Sequence, residues 1–182
     1  MNGAHGMDKK LYILAELDND VQKKIMEYGK IIMDSGFIGK QTKDIPYHIT
    51  LSSYSTEKEE YLKNLLENIV IEFDVFDISY SGFGLFNLNV LYLNPCMNMN
   101  LLRLYEFTKD ESLNRKNDLA AHTTLLIDEP ENILKVLPKM VEHNKEISGK
   151  IKYISLYEFF PKRLIKRIEL RNKIDESKTN CT

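Results

Sequence analysis

Two short segments of this 182-residue chain hold side chains whose types and spacing suit proton-transfer chemistry. One reads His-Ile-Thr-Leu from position 48 and the other His-Thr-Thr-Leu from position 122, so each places a threonine two residues after a histidine. Alternate side chains of a strand share a face, so His48 and Thr50 should lie side by side, about 6.6 Å apart. The same holds for His122 and Thr124. The sequence therefore predicts two matched histidine–threonine pairs.

Two imidazoles and two hydroxyls suit the displacement of one oxygen by another at phosphorus. One imidazole, with an ordinary pKa near 6.5, can take a proton from the attacking oxygen, and the second can deliver one to the leaving oxygen. The hydroxyls can donate hydrogen bonds to the non-bridging oxygens, where the transition state carries negative charge. We predict His48 and His122 as catalytic residues and Thr50 and Thr124 as phosphate-binding residues. Which histidine is the acid stays open, because the two strands are nearly equivalent.

The two motifs occupy the same place in a repeated order of predicted elements. Apolar residues at steps of three and four predict helices between short apolar strands, and polar or glycine-containing segments separate them. The strand segment at 11–13 matches that at 91–93, and the segment at 78–79 matches that at 154–155. This pattern indicates a β-α-β-α-β unit that occurs twice. The predicted strands are 11–17, 48–54, 76–80, 90–93, 121–127, 151–157 and 164–170.

Strand alternation also predicts which neighbours of the motifs face the core. In the first motif it places Ser52 on the same face as the histidine. In the second motif it buries Leu125 and Ile127 and places Leu126 on the face of the histidine. The second motif would then be less polar than the first at that end.

The composition is that of a folded domain. Hydrophobic residues make up 43% of the chain and charged residues 29%, and a formal net charge of −2 argues against a uniformly basic surface for nucleic acid. The length fits one domain or two small, closely packed lobes. No apolar run is long enough to span a membrane, and the first residues lack the apolar stretch of a secretory signal. Cys96 and Cys181 form no Cys-x-x-Cys pair and indicate free thiols in a reducing cytoplasm.

Two basic segments could contact phosphate, and each also has an ordinary explanation. Arg115, in the polar loop before the second motif, could bind substrate or be an exposed loop residue. Six Lys and Arg residues within positions 162–173 could follow an RNA backbone, but the sequence favours the solvated side of an edge strand. Zinc needs three or four ligands, and no Cys-x-x-Cys or His-Glu-x-x-His pattern is present. We therefore predict no metal and no cofactor.

The paired His-x-Thr motifs, in a chain near this length, resemble those of the 2H phosphoesterase superfamily. The most similar branch is the bacterial 2′-5′ RNA ligase or RNA 2′,3′-cyclic phosphodiesterase type. Pro46 ahead of the first motif follows the family pattern, and the segment 82–86 resembles the family's linker between lobes. Ala120 and Ala121 precede the second motif where many members carry a proline, which leaves the loop geometry and the substrate choice there open.

The resemblance implies an α+β fold of two ferredoxin-like halves related by a pseudo-twofold axis, with both motifs in a central cleft. It implies a phosphodiesterase for 2′,3′-cyclic phosphates or 2′-5′-linked RNA or nucleotides, with RNA ligation as the possible reverse reaction. The alternative is a module on the same fold that binds RNA ends or nucleotides without turnover. We expect a cytoplasmic monomer with a domain at 11–172, repeats at 11–80 and 90–157, a loose N-terminal end at 1–10 and a polar tail at 173–182.

Overall fold

A computed structural model describes residues 9–109 and 119–172, which form seven strands and four helices. The order β-α-β-α-β occurs twice, and one further strand follows. The predicted residue Arg115 and the second cysteine, Cys181, lie outside the described residues. The strands are β1 (Lys10–Leu17), β2 (His48–Ser55), β3 (Phe76–Phe86), β4 (Val90–Pro95), β5 (Thr123–Ile127), β6 (Ile147–Phe159) and β7 (Arg163–Glu169). The helices are α1 (Asn19–Asp34), α2 (Glu59–Glu72), α3 (Met99–Thr108) and α4 (Pro130–Glu142).

The seven strands belong to one sheet in the order β2-β1-β6-β3-β4-β5, with β7 also paired to β6. Each pairing of these strands is antiparallel. The edge strands β2 and β5 stand at opposite ends of this order, yet they contact each other, so the sheet curls back on itself. Because each motif lies at the start of one of these edge strands, the curl brings the two motifs together.

The third strand of each β-α-β-α-β unit pairs with the first strand of the other unit. Strand β3 pairs with β4 through residues 83–86, and β6 pairs with β1 through residues 151–159. The two third strands also pair with each other, with Phe76 opposite Ile151 and Tyr80 opposite Ile147. The two halves therefore share one continuous sheet, which fixes the position of one motif relative to the other.

One face of the sheet packs against the helices and forms the core. Asp18 caps α1 by accepting hydrogen bonds from the backbone N–H groups of Asp20 and Val21, both at 2.9 Å. Helix α1 contacts β5, β6 and α4, whereas α2 contacts β6 and β7, and α3 contacts β2. Each fully buried Leu or Ile of this core contributes about 1.5–3 kcal/mol. None of the helices in the described ranges is long and apolar enough to cross a membrane.

The segment 82–86 is part of a strand, and its prediction as a linker between lobes is wrong. Strand β3 runs on to Phe86, and its register with β4 shifts between Tyr80 and Phe83. Gly82 lies in this shift with a φ of +131°, which a residue without a side chain adopts at low cost. Gly82 therefore allows a bulge within β3 and does not end the strand, because pairing with β4 resumes at Phe83.

Candidate active site

The first motif begins β2, and its side chains alternate there as predicted. His48 lies directly opposite Glu16 of β1, and Thr50 lies opposite Leu14. Ile49, between them, is fully buried in the core. His48 and Thr50 therefore lie together, half-buried, on the face of the sheet that points away from the core.

A β-bulge ends this alternation shortly after the first motif. The register between β1 and β2 shifts after Ile13, so Ser52 lies opposite that core residue. The Ser52 hydroxyl is buried and has no hydrogen-bond partner in the described part of the chain. The prediction that Ser52 shares the face of His48 is therefore wrong, and Ser53, opposite Tyr12, takes that place.

A matching bulge follows the second motif. The register between β4 and β5 shifts after Leu91, so Leu126 lies opposite Leu91 and is fully buried in the core. Ile127 lies opposite Val90 and is only half-buried. Leu125 is buried as predicted, but the predicted positions of Leu126 and Ile127 are wrong. The physical reason is that a strand alternates only while its register holds.

Both imidazoles are held by the same kind of hydrogen bond. The Nδ1 atom of His48 lies 2.8 Å from the carbonyl oxygen of Pro46, and Nδ1 of His122 lies 2.8 Å from that of Ala120. A carbonyl oxygen only accepts, so Nδ1 carries a hydrogen in either charge state and Nε2 is the atom that gains or loses a proton. The carbonyl of Ala120 thus holds His122 in the same way that the carbonyl of Pro46 holds His48, although residue 120 is not a proline.

Helix α1 and the loop after it fix the backbone just before the first motif. The Gln22 side chain accepts a hydrogen bond from Tyr47 N and donates one to Tyr47 O, both at 2.8 Å. In the loop, Lys40 N donates to Ile127 O at 2.6 Å, and Gln41 Oε1 accepts from Ile127 N at 3.2 Å. These bonds attach the loop to the free edge of β5 and hold the two motif strands side by side.

The two imidazoles are close enough for the charge of one to act on the other. Burial lowers the pKa of His48 from its ordinary value of 6.5, and a positive charge on His122 lowers it further. The hydrogen bond to Pro46 and the negative charge of Glu16 oppose this lowering. Near neutral pH, His48 is therefore mainly neutral, with an electron pair on Nε2 that can accept a proton.

A buried carboxylate lies beside His48. Glu16 is 0% exposed and accepts a hydrogen bond from the Ser155 hydroxyl. Its Oε2 atom also accepts a hydrogen bond from Nε of Arg167 at 2.8 Å and forms an ion pair with Nη2 of the same residue at 2.7 Å. The Arg167 guanidinium lies 3.8 Å from the centre of the Tyr153 ring. These partners are needed because an unpaired buried charge costs several kcal/mol.

The surroundings of His122 are aromatic instead. Its ring meets Phe86 edge-on with the centroids 4.9 Å apart, and it meets Tyr92 at 5.5 Å. Phe86 and Tyr92 stack on each other at 4.4 Å, and Tyr92 lies opposite both Thr124 and Gly84. A Cβ atom on Gly84 would lie 2.3 Å from the Tyr92 ring. The glycine therefore lets this ring lie across β3 and form a wall beside His122.

The basic segment near the C-terminus forms the edge strand β7, the alternative that the sequence favoured. Most of its described cations are paired rather than simply solvated. Arg163 lies 2.8 Å from Glu158 and 2.6 Å from Glu59, and Lys166 lies 2.6 Å from Glu67. These pairs tie the strand to α2. Arg167 differs, because it contacts Glu16 beside the first motif.

No group of three His, Cys, Asp or Glu side chains within residues 9–109 and 119–172 is placed to hold a metal ion. The structure brings together His48, Thr50, His122 and Thr124, the four residues that the motifs pointed to. The sequence did not point to Glu16 or Tyr92, and it included Arg167 only as one of the six basic residues within 162–173 that could follow an RNA backbone. Glu16 carried a signal, since it is the one charged residue in the apolar segment 11–17. Nothing set Arg167 apart from the other basic residues of that segment.

A comparison with protein-family models finds no match, and a comparison with curated proteins finds none. Solved structures do match. A crystal structure described as a phosphoesterase has a TM-score of 0.62 and 18% identity, covering 90% of this chain and 99% of that chain. E. coli LigT in complex with NADP+ gives 0.62 and 18%, covering 91% and 99%. E. coli LigT in complex with 3′-AMP gives 0.59 and 17%, covering 90% and 99%.

The chain therefore has the fold of LigT over nearly the whole length of both proteins. This confirms the α+β fold that the resemblance to the 2H phosphoesterases implied. At these identities the similarity establishes the fold, so the chemistry has to be argued from the residues of this chain.

Proposed function

We propose that this protein is a 2H-type, metal-independent phosphodiesterase acting on 2′,3′-cyclic phosphates or 2′-5′-linked RNA or nucleotides. The observation that carries the proposal is the matched pair of imidazoles. Each lies at the start of an edge strand and is held through Nδ1 by the carbonyl two residues earlier. The two are also close enough for a positive charge on His122 to lower the pKa of His48. The crystallisation of LigT with 3′-AMP supports a ribonucleotide as the ligand class of this fold.

For a 2′,3′-cyclic phosphate, the reaction needs one base and one acid. As a water oxygen bonds to phosphorus, Nε2 of His48 takes a proton from that water. The bond from phosphorus to the 3′ oxygen breaks, and Nε2 of His122 gives its proton to this leaving oxygen. The product carries a 2′-phosphate and a 3′-hydroxyl. Exchange of protons with solvent then restores a neutral His48 and a protonated His122.

The assignment of His48 as the base follows from its surroundings. Burial holds its pKa below the ordinary value, so its Nε2 is unprotonated and ready to accept at neutral pH. His122, the other imidazole, then supplies the proton for the leaving oxygen. In ligation, a 5′-hydroxyl takes the place of the water, and the two residues keep these roles. Cleavage of a 2′-5′ linkage is the reverse of ligation: the 3′ oxygen attacks phosphorus as the bond to the 5′ oxygen breaks, and the two residues exchange roles, as microscopic reversibility requires.

The two threonines fit the role of phosphate-binding residues. Thr50 shares the face of His48, and Thr124 lies opposite Tyr92, which contacts His122. Both are half-buried, so their hydroxyls stay accessible from the cleft. A hydroxyl beside each imidazole can donate a hydrogen bond to a non-bridging oxygen while negative charge develops there.

The proposal is tested by incubating the protein, in EDTA, with adenosine 2′,3′-cyclic phosphate and with 2′-5′- and 3′-5′-linked dinucleotides. Phosphorus NMR identifies the products. We expect turnover of the cyclic phosphate or the 2′-5′ linkage, and a loss of about 10²–10⁴-fold in His48→Ala and in His122→Ala. His143→Ala is the matched control, because His143 lies at the end of α4 and bonds only the Lys139 carbonyl in the described structure.

Two results would overturn the proposal. Binding of 3′-AMP without turnover of any substrate would identify a nucleotide-binding module instead of an enzyme. Activity that EDTA abolishes and zinc restores would replace the two-imidazole mechanism by a metal-dependent one.

A further inference from the structure

Arg167 lies on the same face of the sheet as the first motif, three strands away from it. Ser155 of β6 lies opposite Arg167 of β7 and also opposite Leu14 of β1. Leu14 in turn lies opposite Thr50 of β2. Directly opposite residues of antiparallel strands share a face, so this row of four residues places the arginine on the face of the catalytic pair.

The guanidinium of Arg167 is held over β6 from two sides. Glu16 accepts a hydrogen bond from its Nε and pairs with its Nη2, and the Tyr153 ring lies under it at 3.8 Å. Glu16 faces Tyr153 on one side of β1 and His48 on the other. The guanidinium therefore lies about two strand spacings, or roughly 10 Å, from the His48 position.

Arg167 also keeps hydrogen-bond donors available. A guanidinium has five N–H donors; the one on Nε is donated to Glu16, and Nη2 forms an ion pair with the same carboxylate oxygen. Within residues 9–109 and 119–172 no acceptor bonds the others, and the side chain is 41% exposed. A guanidinium that is already fixed in place, with a free edge, binds a phosphate through paired hydrogen bonds at a small entropy cost.

We propose that Arg167 binds the phosphate on the 5′ side of the terminal nucleoside while the cyclic phosphate lies between His48 and His122. This inference rests on the proposed function and names its substrate class. A span of roughly 10 Å accommodates one nucleoside with a phosphate at each end. The preferred substrate is therefore a 3′-terminal nucleoside 2′,3′-cyclic phosphate that also carries a phosphate on its 5′ oxygen, as at the 3′ end of an RNA strand, rather than a free nucleoside 2′,3′-cyclic phosphate.

Glu16 determines how strong this preference can be. Its negative charge offsets much of the positive charge of Arg167, so a phosphate is recognised mainly by directed hydrogen bonds. Hydrogen bonds to charged groups of this kind correspond to a gain of about tenfold in affinity. The expected preference for a 5′-phosphate is therefore about tenfold, and it should weaken at high salt because the side chain is partly exposed.

The test compares two ligand pairs that differ only in a 5′-phosphate. In turnover, kcat/KM for adenosine 2′,3′-cyclic phosphate with a 5′-phosphate is divided by the value without it. In binding, calorimetry gives the Kd of adenosine 3′,5′-bisphosphate relative to that of 3′-AMP. We expect both ratios to favour the 5′-phosphate about tenfold in the wild type and to approach one in Arg167→Gln.

The ratios, rather than the separate rates, are the readout, because loss of Arg167 also frees the charge of Glu16 beside His48. The double variant Glu16→Gln/Arg167→Gln has no unpaired buried charge and gives the same answer if the single variant does not fold. Arg163→Gln is the matched control. Arg163 lies on the same strand but pairs with Glu59 and Glu158 on the helix side, so its ratios should equal those of the wild type.

The outcomes separate this inference from the proposed function. Turnover without any preference for a 5′-phosphate, or a preference that both Arg167 variants keep, would overturn the phosphate subsite and leave the proposed function standing. Absence of turnover together with Arg167-dependent, tighter binding of the bisphosphate would overturn the proposed function and support the subsite.

Discussion

The two motifs hold the same pair of residues in the same local geometry, but their surroundings differ in kind. On the β2 side, His48 lies beside the buried Glu16 and its partly exposed partner Arg167. On the β5 side, His122 lies against the rings of Phe86 and Tyr92. The chain therefore places a charged environment next to one imidazole and an aromatic one next to the other.

This difference shows how a matched motif can serve two unequal roles. The hydrogen bond through Nδ1 is the same on both sides and fixes the orientation of each ring. The neighbouring strand then supplies what differs, because the position opposite Thr50 is Leu14 whereas the position opposite Thr124 is Tyr92. Burial and charge act on the pKa of His48, whereas contacts with aromatic rings fix the position of the His122 ring.

The largest expected effect comes from removing both imidazoles. His48→Ala and His122→Ala should each reduce kcat by about 10²–10⁴-fold, since each removes one proton-transfer group. The double variant should lose less than the product of the two single losses, because groups that act as a unit are not additive. Single-turnover kinetics of all three variants measure this. A loss in the double variant equal to the product of the two single losses would show that the two histidines act independently.

The threonines come next in expected effect. Thr50→Val and Thr124→Val remove one donor each and keep the shape of the side chain, so kcat should fall by about 10²–10³-fold at most. Thermal unfolding should change little, because both side chains are only half-buried and lie outside the core. Steady-state kinetics together with melting curves measure both effects. A loss as large as that of the histidine variants would assign the hydroxyls a direct role in proton transfer.

Gly84→Ala acts on the aromatic side alone. The new Cβ would lie 2.3 Å from the Tyr92 ring, so that ring must move away and carry Phe86 and His122 with it. Misplacement of this kind costs up to about 10²-fold in kcat. The proton NMR signals of the His122 ring should shift as the ring currents change, while those of His48 serve as the internal control. Unchanged His122 signals would contradict the proposed position of the wall.

Glu16→Gln acts on the charged side alone and should have the smallest effect. The negative charge of Glu16 raises the pKa of His48, so its removal lowers that pKa further. Because the base must be unprotonated, the acidic limb of the kcat/KM profile should move to lower pH. Glu67→Gln, which removes the partner of Lys166 on the helix side, should leave that limb in place. A shift to higher pH in Glu16→Gln would contradict the account.

The sequence predicted the placement of the two histidine–threonine pairs well, because strand alternation and matched spacing are local properties. Ile49 in the core with His48 and Thr50 on the opposite face is an example. The predicted facing of Ser52 and Leu126 was wrong, because each follows a bulge. A bulge depends on the register with the neighbouring strand, and the local sequence pattern does not contain that register.

Contacts between distant segments were also beyond sequence reasoning. Glu16 and Arg167 are far apart in the chain and meet only because β6 pairs with both β1 and β7. The same holds for the pairing of Tyr92 with Gly84, which turns a predicted linker into the wall beside His122. The arrangement of strands across the sheet, rather than any single segment, creates the difference between the two sides.

The most direct test of the central claim is the pH dependence of kcat/KM for adenosine 2′,3′-cyclic phosphate, measured in EDTA, because this cyclic diester keeps the same charge through the range in which imidazoles titrate. The wild type should give a bell-shaped profile, with an acidic limb from the base and an alkaline limb from the acid. The residual activity of His48→Ala should lack the acidic limb, and that of His122→Ala should lack the alkaline limb. Both limbs persisting in either variant would contradict the claim that the two histidines divide the acid and base roles.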